Sequence, residues 1–126
     1  MTTFSPTERA YLASQRLGRL ATIDRSGRPQ NNPVGFAVEH DGSIVIGGFR
    51  MGDTRKFRNV AANDRVAFVV DDLASVDPWV VRGVEVRGRA EALTDADPPQ
   101  PFMTRQVIRI RPERIISWGL DRDEVA

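Results

Sequence analysis

The amino-acid sequence predicts a mainly β domain of the α+β class, with six or seven antiparallel strands in a barrel or sandwich and two short helices. Three observations predict it. Apolar and polar residues alternate over short runs. Turn signals such as Ser26-Gly27 and Asp41-Gly42 recur about every eight to twelve residues in the first half of the chain. Only two places carry helix-start chemistry, Ser5-Pro6 and Asp53-Thr54. A chain of 126 residues is expected to form one domain, over residues 1–126. A domain this small is only modestly stable alone, and a second copy would help it.

The first helix is expected from Pro6 to about Arg16. Ser5 caps it, Glu8 completes a capping box, and Tyr11 and Leu12 face the core. Gly18 is its expected left-handed stop. Arg19 to Asp24 alternates as a strand, and Arg25-Ser26-Gly27-Arg28 turns the chain. Gln30 to Glu39 is a second strand, and Pro33 within it demands an edge or a bulge. His40-Asp41-Gly42 is a hairpin turn, followed by a strand from Ser43 to Phe49.

Asp53 is the expected cap of a helix over Thr54 to Ala62, with Phe57, Val60 and Ala61 inward and Asn63-Asp64 at its end. Arg65 to Asp71 is a buried strand, and Leu73 to Pro78 a loop. Trp79 to Leu93 is a long strand in which Gly83 and Gly88 mark bends or bulges. Asp95 to Pro101 is a proline-rich connector. Gln106 to Arg111 and Arg114 to Trp118 are two last strands, divided by Pro112.

Composition removes several chemistries. There is no cysteine, so disulfides, thiolate nucleophiles and Cys-ligated metals are excluded. The one histidine, His40, lies in a predicted turn and reads as a solvent-exposed residue rather than a catalytic base. Acidic residues do not cluster, so no metal site and no glycosidase pair is indicated. The net charge of +1 argues against nucleic-acid binding. No membrane span or signal peptide is visible, which makes a cytoplasmic location the default expectation. Any redox chemistry must therefore come from a bound cofactor.

Three features stand out. Between Gly47 and Asn59, Arg50, Arg55, Lys56 and Arg58 stand against Asp53 alone, a local net charge of +3. Thr54, Arg55 and Lys56 fall at the predicted helix start, where free N–H groups favour an anion such as a phosphate ester. A plain solvated basic face fits equally well. The run Gln30-Asn31-Asn32-Pro33-Val34 is a poor strand former. It fits either a ligand reading the backbone or an edge strand protected from aggregation. Trp79 suits a core, an interface or a flat cofactor ring.

In order along the chain, Arg19-Leu20-Ala21-Thr22, Gly27-Arg28-Pro29-Gln30, Thr54-Arg55-Lys56-Phe57-Arg58-Asn59, Asn63-Asp64-Arg65-Val66-Ala67 and Val86-Arg87-Gly88-Arg89-Ala90-Glu91 resemble the FMN-binding split-barrel superfamily, the pyridoxamine 5'-phosphate oxidase-like group. The ending Ile108-Arg109-Ile110-Arg111-Pro112 with Arg114-Ile115-Ile116-Ser117-Trp118-Gly119-Leu120 is similar to its short branch of reductases that use the deazaflavin coenzyme F-420. The resemblance implies a split β-barrel and a homodimer with two cofactor sites between subunits. It implies phosphate binding by Thr54, Arg55 and Lys56 with Asn59 nearby. It places the ring and ribityl chain along Gln30, Asn31, Asn32, Pro33 and Val34, beside Gly47 and Gly48. It makes Trp79, and less directly Arg82, a contact to the cofactor of the other subunit.

A C-terminal Arg/His substrate motif of pyridoxamine-phosphate oxidases proper is missing, which argues against vitamin B6 oxidation. The short connector, where some relatives carry a covering helix, leaves room for a more open pocket. The function implied is hydride transfer from reduced deazaflavin to a conjugated small-molecule acceptor, with the proton drawn from solvent or from a pocket hydroxyl such as Tyr11 or Ser117 and no catalytic acid assigned. Arg50 and Arg58 are spare cations for the longer anionic tail of that coenzyme. The alternatives are an FMN-dependent oxidase or reductase, a non-catalytic flavin carrier, and a structural dimer with a solvated helix.

Overall fold

The computed structural model describes residues 2–120; residue 1 and residues 121–126 of the expected domain lie outside the described range. Helix α1 (Pro6–Ala13) is followed by β1 (Leu17–Ile23), β2 (Pro29–Gly35), β3 (Ala37–Val38) and β4 (Ile44–Ile46). A 3-10 turn (Met51–Asp53) leads into helix α2 (Arg55–Ala62), then β5 (Arg65–Ser75), β6 (Val80–Leu93) and β7 (Val107–Trp118). All pairings are antiparallel, in the order β2-β1-β5-β6-β7-β4-β3.

That order explains the barrel. β2 and β3 are the two opposite edges of the sheet, yet a single residue, Phe36, joins them. The sheet must therefore curl until its edges meet. Phe36 sits at the seam with its ring edge-on to Phe68, centroids 5.2 Å apart. The core inside the curl is built from Leu20, Phe68, Val84, Val86, Ile44, Ile46, Ile108 and Ile110, with Tyr11 and Leu12 of α1 closing one side. No helix among the described residues is long and apolar enough to cross a membrane.

Several expectations need correction. The predicted second strand splits at Phe36 into β2 and β3, and Pro33 is accommodated because β2 is an edge. The two predicted last strands are one. β7 runs through Pro112 because β4 pairs only as far as Ile110, so no ladder N–H is required there on that side. A register shift opposite Gly88 absorbs the proline, which bears out the bulge expected at that glycine. Gly83 makes no bulge; a Cβ there would meet the Trp118 ring and the Val70 carbonyl, so its role is close packing. The third strand ends at Ile46, and β5 extends to Ser75 where a loop was expected.

Helix α1 stops at Ala13 because the Ser14 N–H returns to the Ala10 and Tyr11 carbonyls and its hydroxyl donates to Tyr11 O at 2.6 Å. Gly18 is not a helix stop. It lies in β1, where any side chain would collide with the Phe68 ring. The expected capping box at Ser5 and Glu8 is present. Gly27 and Gly42 take the positive φ values their turns require, 82° and 91°.

Candidate functional site

The site is built on the start of α2. The cap is Thr54, not Asp53, because the 3-10 turn consumes Asp53 and leaves Thr54 extended. The Thr54 hydroxyl accepts the Phe57 N–H at 3.3 Å and donates to Met51 O at 2.7 Å. The N–H groups of Arg55 and Lys56 then meet no acceptor among the described residues, as first-turn amides do. The Arg55 and Lys56 side chains also have no hydrogen-bond or ion-pair partner among the described residues. Lys56 is half-buried, and that burial lowers its pKa from the ordinary lysine value. Free amides beside two unpaired cations, one of them desolvated, suit a phosphate in charge and in donors.

A hydrogen-bonded chain ties this cradle to the edge strand. Asn59, only 6% exposed, donates from Nδ2 to Thr22 Oγ1 at 3.0 Å and to Gln30 Oε1 at 2.8 Å. Gln30 in turn donates to Asn32 Oδ1 at 2.6 Å. Asn59 takes the inward position expected of Ala61, which is exposed, while Phe57 and Val60 pack inward as expected. Buried amides of this kind are held only when satisfied, so the chain fixes α2 against β1 and β2.

The strand period of two divides the β2 run. Gln30 and Asn32 are half-buried and Val34 is core, whereas Asn31 and Pro33 are exposed on the other face. Gly47 and Gly48 also part company. The space over Gly47 is filled by Met103 and Pro99, each 2.8 Å from where a Cβ would stand. Gly48 has open space, with only the Met51 methyl 4.0 Å away. Trp79 is 66% exposed at the tip of the β5–β6 hairpin. Arg89, farther along β6, pairs with Asp64 just after α2. At about 3.3 Å per residue the strand sets Trp79 roughly 30 Å from the C-terminal end of α2, and the helix start lies farther along, near Thr94 beyond the end of β6. Within one chain, Trp79 and the cradle are not brought together.

A cleft of about 510 Å³ lies between the β1–β2 turn and the outer face of α2. Arg25, Arg28, Arg55, Arg58 and Asn59 line it. Asp24 gathers the turn, accepting from the Ser26 and Arg28 amides and from Arg28 Nε, and these bonds, led by the Arg28 amide, hold its carboxyl below the usual range. Arg58 donates to Asp53 O at 2.9 Å and reaches the cleft, whereas Arg50 pairs with the Asp53 carboxylate and is not among the cleft-lining residues. Thr22, Arg25 and Arg28 did not emerge from the sequence as site residues. Alternation with Leu20 was the available signal that Thr22 points inward.

Two other candidates are engaged elsewhere. The Tyr11 hydroxyl, buried, donates to Asp72 Oδ1 at 2.8 Å, and Arg82 binds both oxygens of the same carboxylate at 2.8 and 3.1 Å. Arg82 also lies over the Tyr11 ring, 5.1 Å from its centroid. The three residues fasten α1 to the hairpin. His40 is exposed in its turn, and no group of three potential metal ligands occurs among the described residues.

Residues 4–119 match the family model described as pyridoxamine 5'-phosphate oxidase. The chain is similar to the 5a,11a-dehydrotetracycline/5a,11a-dehydrooxytetracycline reductase of Streptomyces rimosus subsp. rimosus, at 49% identity over 122 residues, covering 95% of this chain and 86% of that protein. Among solved structures it is similar to a conserved hypothetical protein from Mycobacterium tuberculosis, with a TM-score of 0.73, 26% identity and coverage of 98% and 90% of the two chains. It is also similar to an F-420 reductase, with a TM-score of 0.61, 27% identity and coverage of 80% and 89%. With its curled seven-stranded sheet and nearly its whole length matched, the chain belongs to the pyridoxamine 5'-phosphate oxidase family of split barrels.

Proposed function

We propose that the protein is a reductase that uses the deazaflavin coenzyme F-420 to reduce a conjugated small-molecule acceptor. The observation that carries this is the start of α2, where Arg55, Lys56 and two amides without a partner among the described residues adjoin the Asn59–Gln30–Asn32 chain. A phosphorylated flavin-type cofactor fits these donors. Its phosphate would be held by Arg55 and Lys56, while the Thr54 hydroxyl shapes the turn. Gln30 and Asn32 are the inward polar groups of β2 for a ring or ribityl chain. The relative at 49% identity is a reductase, and an F-420 reductase shares the fold. Bound in its reduced form, the deazaflavin supplies a hydride. The chain's own task is then to bind, orient and exclude water.

The arginine-lined cleft supports the deazaflavin over FMN. The deazaflavin carries a longer anionic tail, and Arg25, Arg28 and Arg58 offer it cations beyond the phosphate cradle. FMN is the second reading, since it needs only that cradle.

The hairpin supports a homodimer. Beyond Val69 and Gly83 its strands pair only with each other, and the projecting part exposes Leu73, Val76, Trp79 and Val81. An apolar arm of this kind fits a second copy. It would bring Trp79 toward the partner's cradle, which it does not approach in its own chain.

The test is separate titration with F-420 and with FMN, followed by tryptophan fluorescence. Micromolar or tighter binding of F-420 with much weaker FMN binding is expected. Preference for FMN moves the protein to the flavin reading, and binding of neither overturns the cofactor assignment.

A further inference from the structure

Arginines on both walls of the cleft are held in place before any ligand arrives. Arg58 stands on α2, and Arg28 comes from the β1–β2 turn that faces it. Arg58 commits Nη1 to Asp53 O at 2.9 Å, and Arg28 commits Nε to Asp24 Oδ2 at 3.1 Å. A guanidinium carries several donors in a fixed fork. Each group is therefore oriented by one bond, and its other N–H groups have no partner among the described residues.

On the turn side the holding residue is Asp24. Its Oδ1 accepts the Ser26 N–H at 2.8 Å and the Arg28 N–H at 2.9 Å, and its own N–H donates to Arg28 O at 2.9 Å. Gly27, at φ 82°, donates to Asp24 O and closes the turn. The Asp24 side chain is 20% exposed, tucked into the turn, while the Arg28 side chain it grips is 76% exposed. An ion pair this open to water adds little to stability. By its charge, an acid in the wall of an anion-binding cleft opposes the anion. Its geometric effect has the opposite sign. It orders a long, exposed side chain in advance, and ordering such a side chain is one of the costs of binding.

We propose that Asp24 is a positioning residue for the anionic tail of the cofactor, pre-ordering the Arg28 guanidinium toward the cleft. The proposal rests on the deazaflavin reading of that cleft. Charge and geometry predict opposite outcomes when the Asp24 carboxylate is lost, so the role can be measured.

The test is Asp24→Asn. The amide keeps an oxygen for the Ser26 and Arg28 N–H groups but can present an NH2 where Oδ2 accepted Arg28 Nε. The turn is expected to survive and the grip to be lost. F-420 and a shortened F-420 without the anionic tail are titrated into the wild type, Asp24→Asn, Arg28→Ala and the double variant. Asp24→Asn is expected to weaken F-420 about three- to tenfold and to leave the shortened coenzyme unchanged. In the Arg28→Ala background it should weaken F-420 no further. Equal or tighter F-420 binding by Asp24→Asn overturns the positioning role. So does an equal weakening of both coenzyme forms, or a weakening that persists without Arg28. One check needs no variant: in NMR of the wild type, the Arg28 Nε–H should exchange with water more slowly than that of Arg25, and equal exchange overturns the grip. If the wild type binds neither coenzyme form, the deazaflavin reading itself falls. Inorganic tripolyphosphate, titrated into the same proteins, then judges Asp24 by the same signs.

Discussion

The amide nitrogen of Asn59 on α2 donates to Gln30 Oε1 on β2 at 2.8 Å, joining the basic helix to the edge strand through one buried side chain. Thr22 shares the same amide at 3.0 Å. The cradle and the amide-rich strand are therefore one assembly.

Asn59→Ala strands the Thr22 hydroxyl and the Gln30 carbonyl without their donor. A loss of about 1–3 kcal/mol of stability is expected in urea unfolding. Cofactor affinity should fall with it, because Gln30 and Asn32 lose their alignment. Unchanged stability and affinity would contradict the linkage.

Arg55→Ala with Lys56→Ala removes two cations that have no partner among the described residues. Stability should change by no more than about 0.5 kcal/mol. Cofactor affinity should drop at least about tenfold, since charge-assisted bonds contribute roughly 1.5–3 kcal/mol each. Unchanged affinity would make this helix start an ordinary solvated surface.

Lys56 gives cofactor binding a pH dependence. Burial lowers its pKa, so it sheds its proton at lower pH than an ordinary lysine. Only the protonated form attracts a phosphate. Affinity should hold at neutral pH and weaken on the alkaline side, beginning below 10.5. A titration series on wild type and Lys56→Arg tests this; the alkaline loss should be absent from the arginine variant.

Asp72 makes the α1–hairpin contact sensitive to acid. Hydrogen bonding from Arg82, with a further bond from Tyr11, holds its carboxyl below the ordinary value. A depressed carboxylate adds stability above its unfolded pKa, about 3.9, and loses it as pH falls through the folded value. The gap in melting temperature between wild type and Asp72→Asn should be full near pH 7 and close in acid below about pH 4. A gap independent of pH would contradict the ion pair.

Gly47→Ala places a methyl group 2.8 Å from both Met103 Sδ and Pro99 Cδ. Overpacking there should cost about 1–3 kcal/mol and free the connector. Gly48→Ala, facing open space, should cost far less. Thermal melts of the two variants, with proteolysis of the connector, separate them.

Much of the fold was legible in local chemistry. The capping box at Ser5 and Glu8, the glycine turns at Gly27 and Gly42, and the inward Tyr11 and Leu12 depend on near neighbours alone. The strand boundaries that failed did so where neighbours across the sheet decide. Pro112 stays inside β7 because β4 stops pairing at Ile110, and no window around Pro112 contains that fact. Gly18 looked like a helix stop, but its reason for being small is Phe68, fifty residues away.

The sequence by itself determined the strand-rich class, the absence of thiol chemistry, and a basic helix start suited to an anion. Charge, capping and alternation are properties of short segments, so they survive without a structure. Only the tertiary structure decided that Thr54 caps the helix, that Asn59 is satisfied by Thr22 and Gln30, and that Gly47 is filled while Gly48 is open. It also set Phe49 beside Phe102. Each of these depends on contacts between distant segments, which exist only once the sheet has curled and its edges have met at Phe36.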